Sequence, residues 1–189
     1  SPLLRDVFTA ARRKQEDRWG LSNWELPLSQ VCESRSFCWF AAAILTRLPR
    51  FWETYNTVLA EFRQINRIRS QTHPVPALVE NDGWFEAPFW VWRAGEQRRQ
   101  RVLAKACSQE VRLSDGQDIF ARLPLVADGD LTAATDVLRN LTQEGIRFRS
   151  RALTTTLFAR LGLSDLFIHG IGGAKYDEMT DQLISRFFG

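Results

Sequence analysis

The hydrophobic pattern of this chain changes period twice, and that change restricts the fold more than any single motif does. Apolar residues recur every three or four positions across residues 1–70, which is the spacing of amphipathic helices. Short aromatic and β-branched runs follow, and after them helical and extended stretches alternate. The pattern predicts an α/β protein with a helical segment at 1–70, a loop and antiparallel β meander at 71–125, and a Rossmann-like α/β unit at 126–189. One domain containing all three parts also fits the length of 189 residues.

Proline and glycine positions set the expected bounds of the elements. Gly20 ends a first helix, and Pro49 begins a third helix that continues to about residue 69. Two prolines make residues 71–77 a loop. Strands are expected at 84–92, 101–107, 110–113, 146–149 and 165–169, and further helices at 34–48, 130–144, 152–163 and 174–188. A strand, helix, strand order after 145 predicts a right-handed parallel crossover.

Composition argues against a membrane-spanning or secreted protein and against a disordered one. The longest apolar runs are far shorter than the ~18 residues that span a bilayer, and charged residues interrupt any signal-peptide core near the start. The hydrophobic share of 44% and the charged share of 25% are ordinary for a globular chain, so disorder is not expected as the main state. Three cysteines without paired spacing predict small buried residues in a cytoplasmic protein rather than disulfides or a zinc site.

The basic residues are strongly biased toward arginine. Arginines number 22 and lysines 3, with seven tryptophans beside them. Arginine suits bidentate contact with carboxylates and phosphates and stacks on aromatic rings, although the base composition of a genome can produce the same bias. A net charge of +3 is low for a nucleic-acid-binding protein. We therefore expect a small anionic molecule as the partner, and neither a membrane nor a nucleic acid.

Candidate site residues are densest in the segment DLFIHGIGGAKYDE, residues 165–178. Gly170, Gly172 and Gly173 lie between a predicted strand and a predicted helix, where backbone N–H groups can hold an anion. Their G-x-G-G spacing matches neither the dinucleotide fingerprint nor the P-loop. We expect these three glycines to bind a ligand, and a tight turn that requires positive φ is the alternative.

Four side chains beside the glycines are candidates for chemistry. His169 and Glu178 are the candidates for catalysis, because imidazole and carboxylate groups transfer protons near neutral pH. Lys175 and Asp177 are candidates for contact with the ligand. Each also has a purely structural explanation. His169 can be a hydrogen-bonded core histidine and Lys175 a surface lysine, while Asp177 and Glu178 can be acidic partners of a helix dipole. No HExxH or Cys/His set is present, so no metal is expected, and no motif identifies a cofactor.

A second set of candidates precedes the glycines in the sequence IRFRSRALTTT. Arg147, Arg149 and Arg151 alternate, so they share one face if the segment is extended. Arg149, Arg151 and Thr155 are predicted to bind the ligand opposite the glycines. A charged edge strand that resists aggregation is the alternative interpretation.

Three phrases of the sequence resemble a family of uncharacterised bacterial proteins. They are NWELPLSQVCE at 23–33, HPVPALVENDGWFEAPFWVWR at 73–93, and the block from RFRSRALTTT to the end at 147–189. That family is in turn similar to the cysteine-adding enzyme of bacillithiol synthesis. The resemblance implies a Rossmann-like core with helical additions and a reaction that joins cysteine to a sugar-malate acceptor. The positions that match are Arg149, Arg151, Thr155, Gly170, Gly172, Gly173 and Glu178.

The sequence thus leads to two hypotheses about function. The first is an enzyme-like, Rossmann-related domain that binds a small anionic ligand, with a ligase-like reaction joining an amino acid to a sugar-acid acceptor. The alternative is a non-catalytic interaction or structural module of a larger protein. Members of the resembled family are longer, so a missing N-terminal half or a second copy of the chain is a further candidate partner.

Overall fold

The computed structural model describes residues 4–126 and 129–189, with the backbone alone at Arg5, Ile171, Gly172 and Lys175. The first part is helical, with α1 (Leu4–Arg18), α2 (Leu28–Glu33), α3 (Arg35–Leu45) and α4 (Leu48–Ile65). Five strands follow, β1 (Glu80–Asn81), β2 (Trp84–Arg93), β3 (Gln100–Ala106), β4 (Glu110–Ser114) and β5 (Ile119–Pro124). The last part contains α5 (Thr132–Asn140), β6 (Ile146–Ser150), α6 (Ala152–Gly162), α7 (Ile171–Leu183) and a π-helical turn (Ile184–Phe188).

The helix starts follow local signals that the sequence displays. Ser34 caps α3, because its hydroxyl oxygen accepts a hydrogen bond of 3.2 Å from the backbone N–H of Phe37. Pro49 lies in the first turn of α4, where its missing N–H does no harm. Arg67 adopts a φ of 54°, which ends that helical stretch a few residues before the predicted end. The predicted helical segment is therefore confirmed for the described residues.

The six described strands form one antiparallel sheet. The order is β1-β2-β3-β4-β5, and β6 also pairs with β2. The register of β2 against β3 shifts between Ala87 and Trp90, which accommodates Pro88 in a bulge. The Pro88 carbonyl oxygen, free of the ladder there, accepts hydrogen bonds of 3.1 Å from the Arg151 N–H and the Thr154 hydroxyl. The predicted meander is confirmed, and its bulge anchors the start of α6.

The Rossmann-like unit predicted at 126–189 does not form in the described residues. Its strand β6 runs antiparallel to β2, with Phe89 opposite Ser150 and Arg93 opposite Ile146, so there is no parallel crossover. The predicted strand at 165–169 is irregular, and Leu166 and Ile168 are 77% and 81% exposed. A buried strand needs a neighbouring strand to satisfy its backbone, and this segment has none. The predicted glycine loop is instead the N-cap and first turn of α7.

The core lies between α3 and the inner face of the sheet. Phe37 of α3 is fully buried, and its ring contacts those of Phe89 on β2, Phe148 on β6 and Phe158 on α6. The pairs with Phe89 and Phe158 are edge-to-face, a geometry that adds to the stabilisation that burial provides. Two of the three cysteines are buried as predicted, and burial raises the pKa of Cys38 to about 11.

Replacing Phe37 by alanine tests this description of the core. Phe37→Ala should lower the free energy of unfolding by about 3–5 kcal/mol, because it removes a buried ring and leaves a cavity among three elements. Ile65→Ala is the matched control, since Ile65 is 77% exposed and should change stability by no more than about 0.5 kcal/mol. Urea unfolding followed by circular dichroism measures both, and equal effects of the two substitutions would contradict this core.

Acid should destabilise the fold through two surface carboxylates. Hydrogen bonds from Arg186 lower the pKa of Glu61, and a hydrogen bond from Arg112 lowers the pKa of Glu110. Because each folded pKa is below the unfolded value of about 4.3, the stabilisation is complete above that value and is lost as the pH falls through the folded pKa. Unfolding free energy measured from pH 6 to pH 3 should fall less steeply for Glu61→Gln than for the natural sequence. Superimposable pH profiles would show that the Glu61–Arg186 pair is not formed.

Candidate functional site

The structure separates the predicted site residues into two groups. Arg149, Arg151 and Thr155 lie at the junction of β6 and α6, whereas His169 and Asp177 belong to α7 and the segment before it. Among the described residues, hydrogen bonds and ion pairs connect each group internally and to other elements, and none joins one group to the other. The pocket predicted between the arginines and the glycines stays a prediction, since the described hydrogen bonds and ion pairs do not connect its two sides.

The group on α7 is occupied by contacts that hold two helices together. Arg160 of α6 donates hydrogen bonds of 2.7 Å to Asp177 and 2.5 Å to Asp181. His169 Nε2 lies 3.4 Å from Asp177 Oδ1, and its ring packs edge-on against Phe167. The carboxylate of Asp177 thus ties α7 to α6 through Arg160, and His169 Nε2 lies beside it without a hydrogen bond among the described residues.

The glycines at the start of α7 have different surroundings. Gly170 is the N-cap with a φ of −65°, so it does not require positive φ. A Cβ placed on Gly173 would lie 2.7 Å from Nδ1 of His169, so this glycine leaves room for the imidazole ring. For Gly172 and Lys175 the structure describes the backbone alone. Glu178 is exposed and lines a cleft of about 360 Å³ between α4 and α7, together with Glu61 and Arg186.

Arg147 and Arg149 share one face of β6 as the sequence predicted, whereas Arg151 lies beyond the strand as the N-cap of α6. Burial alternates along β6, with Ile146 and Phe148 on the core face and Arg147 and Arg149 on the outer face. The positive charge of Arg149 is already compensated by Glu33 of α2, to which it donates a hydrogen bond of 2.8 Å. Arg149 also donates a hydrogen bond of 2.8 Å to the carbonyl oxygen of Phe148. Its charge therefore holds α2 against the sheet.

Arg151 meets a buried carboxylate that the sequence analysis did not select. Glu86 of β2 is only 1% exposed. It accepts hydrogen bonds from Arg151 Nη1 at 2.7 Å, Arg101 Nη1 at 3.1 Å and the backbone N–H of Val79 at 3.2 Å. A carboxylate is tolerated at such a depth only when it is paired and hydrogen-bonded, and this one satisfies both conditions.

The guanidinium group of Arg151 has donors left over after that ion pair. Its Nε and Nη2 are buried and have no hydrogen-bond partner among the described residues. Its central carbon lies 4.4 Å from the centre of the Trp90 ring, which Arg99 also contacts at 4.8 Å. Buried donors without partners are rare and costly, so this position is where the structure most strongly indicates a missing acceptor.

The surroundings of Arg151 are held in place by neighbouring polar contacts. The Thr155 hydroxyl lies 2.6 Å from the Ser150 hydroxyl and donates to the Arg151 carbonyl oxygen at 3.0 Å. Asn56 of α4 exchanges two 2.9 Å hydrogen bonds with the backbone of Leu78, which holds the segment before β1 over Glu86. Beside this cluster, burial raises the pKa of Tyr55 well above its usual range, so its hydroxyl stays protonated. Through its contacts with Ser150 and with the Arg151 carbonyl, Thr155 positions the strand–helix junction.

One signal in the sequence could have identified Glu86. A glutamate inside the run WFEAPFWVW stands among aromatic and apolar residues that favour a buried strand. A buried carboxylate requires a cationic partner, and the nearby arginines supply it. The identity of that partner depends on the pairing of β2 with β6, which the sequence alone does not reveal.

Comparison with known proteins yields no match: no protein-family model, no curated protein and no solved structure is similar to this chain. The resemblance to bacillithiol-synthesis enzymes stays a prediction. Within residues 4–126 and 129–189, no cluster of three or more His, Cys, Asp or Glu side chains could hold a metal ion. No helix in that part of the chain has the length and apolar character needed to cross a membrane.

The contact between Gly173 and His169 can be tested with a double-mutant cycle. In the natural sequence Gly173→Ala should destabilise by about 1–3 kcal/mol, because the new methyl group displaces the imidazole ring. In a His169→Ala background the same change should stabilise by up to about 1 kcal/mol, since alanine favours a helix over glycine. Thermal unfolding of the four proteins gives both values, and the same sign in both backgrounds would contradict the contact.

Proposed function

We propose that this chain binds a small anionic molecule, a carboxylate or a phosphate, through Arg151 at the junction of β6 and α6. The observation behind the proposal is the pair of buried, unpartnered nitrogens Nε and Nη2 of that residue. Buried donors without acceptors are uncommon, and an anion would satisfy both at once.

The geometry of the guanidinium group favours an anion with two oxygens. Nε and Nη2 lie on one edge of the planar group and donate in the same direction, whereas Nη1 is used by Glu86. Two parallel N–H donors match the spacing of carboxylate or phosphate oxygens. The Trp90 ring, 4.4 Å from the guanidinium carbon, holds the plane of that group in one orientation.

The local charge also favours an anion. Arg99, Arg101 and Arg151 lie together around Trp90 and Glu86, so three positive charges face one negative charge. Arg151 is also the N-cap of the 11-residue helix α6, whose dipole adds positive potential at that end. An arriving carboxylate or phosphate would neutralise this excess.

The finer parts of the functional hypothesis belong to the same proposal. The resemblance is the basis for proposing a ligase-like reaction that joins an amino acid to a sugar-acid acceptor. The cysteine pattern is the basis for proposing a cytoplasmic location. Contributions of Gly170, Gly172 and Lys175 to ligand binding stay predictions, as do catalytic roles for His169 and Glu178.

A second candidate function is a non-catalytic interaction module. It is favoured by apolar side chains that the described part of the chain leaves in solvent. Trp24 is fully exposed, and Leu166 and Ile168 are mostly exposed between α6 and α7. Leu166 and Ile168 lie in one short segment, and neighbouring exposed apolar groups are typical of surfaces that contact another protein.

Thermal unfolding with a panel of anions tests the anion site. Phosphate, malate, citrate and cysteine are the probes, because they supply the two chemistries expected and both sides of the implied reaction. A probe at 100 times its dissociation constant should stabilise the chain by about 2.7 kcal/mol. Arg151→Met should abolish this gain, because it removes the fork and keeps an apolar chain over Trp90.

Two controls separate binding from folding. Arg186 belongs to the C-terminal π-helical turn and pairs with Glu61, not with Glu86. Arg186→Ala should therefore leave the ligand-induced gain unchanged. Arg151→Lys keeps the charge and loses the two-pronged geometry, so it should bind more weakly than the natural protein. An equal gain in Arg151→Met, or no gain with any anion in a folded natural chain, would overturn the proposal.

A further inference from the structure

The outer face of the sheet around Arg151 combines tryptophan and arginine side chains. Trp90 and Trp92 of β2 point to this face, because the residues between and before them, Phe89 and Val91, are buried in the core. In the ladder between β2 and β6, Trp90 is opposite Arg149 and Trp92 is opposite Arg147. On the other side, Trp90 is opposite Arg101 of β3.

Positive charge is in excess over the whole of this face. The arginines are Arg99, Arg101, Arg147, Arg149 and Arg151. They meet two carboxylates, those of Glu33 and Glu86. Arg147 has no carboxylate partner among the described residues, so it can contact a ligand without breaking an ion pair. A ligand with more than one negative charge suits such a face better than a single carboxylate does.

The two tryptophans differ in how much of the ring is already covered. The Trp90 ring is contacted by two guanidinium groups, at 4.4 and 4.8 Å. The Trp92 ring has one such contact at 5.9 Å, which is near the limit of about 6 Å for a cation–π interaction. Trp92 is also partly exposed, so it retains aromatic surface on which a planar group can stack.

We infer that the anion bound at Arg151 is a nucleoside phosphate whose base stacks on Trp92 and whose phosphate is held by the arginines. This inference rests on the anion site proposed above and adds the chemical class of its ligand. Trp90 and Trp92 are separated by about 7 Å along the strand, from the rise of about 3.4 Å per residue. A ribose connects a base to its phosphate across a gap of this order, so one molecule can reach both groups.

Isothermal titration of three matched probes tests the inference. AMP, ribose 5-phosphate and inorganic phosphate share the phosphate group, and only AMP adds a base. AMP should bind about tenfold more tightly than ribose 5-phosphate, because base stacking on an aromatic side chain contributes that much or more. Trp92→Leu should reduce AMP to the affinity of ribose 5-phosphate and leave ribose 5-phosphate unchanged. Arg151→Met should abolish binding of all three probes.

Trp84→Leu is the control variant, because Trp84 lies at the opposite end of β2 beside Lys105 and should not alter any of these affinities. Equal affinity for AMP and ribose 5-phosphate in the natural chain would overturn the nucleotide assignment and leave the anion site standing. Absence of binding by all three probes would overturn both. A single-stranded oligonucleotide that binds more tightly than AMP, with a steep dependence on salt, would also overturn the inference, since it would assign the face to a nucleic acid.

Discussion

The buried carboxylate of Glu86 is the constraint on which the outer part of this structure depends. Three elements converge on it: Arg101 from β3, Arg151 from the start of α6, and the backbone of Val79 before β1. Removing Arg151 would leave the buried carboxylate of Glu86 without its less exposed cationic partner. The pairing therefore holds the strand–helix junction beside the bulge at Pro88, where the backbone of Arg151 is also anchored.

After pairing with Glu86, the guanidinium group of Arg151 still has hydrogen-bond donors without acceptors among the described residues. One nitrogen is committed to Glu86, the ring of Trp90 lies against the guanidinium group, and the edge formed by Nε and Nη2 keeps buried donors without acceptors. The ion pair with Glu86 thus uses only part of the donor set of the guanidinium group. The excess of donors is the physical reason to regard this position as a binding site, since desolvation is already complete before a ligand arrives.

Most of the local structure could be predicted from the sequence, because it depends on nearby residues. Ser34 and Pro49 identify helix starts, and the alternation of Arg147 and Arg149 correctly predicts an outer face on β6. Features that depend on contacts between distant segments were harder to predict from the sequence. The apolar run around Leu166 and Ile168 has the composition of a buried strand, yet it has no neighbouring strand and lies in solvent. Arg151 was selected by alternation, whereas its contact with Glu86 depends on the pairing of β2 with β6, two segments that are far apart in the sequence.

Anomalous scattering from a crystal soaked in bromide tests whether Arg151 binds an anion, since bromide is a small anion that marks arginine donors without any assumption about the natural ligand. An anomalous peak is expected within hydrogen-bonding distance of Arg151 Nε and Nη2, on the edge of the guanidinium group that faces away from Glu86. The peak should be absent from crystals of Arg151→Met. A guanidinium group whose Nε and Nη2 are both bonded to protein atoms, with no bromide beside them, would contradict an anion site at Arg151.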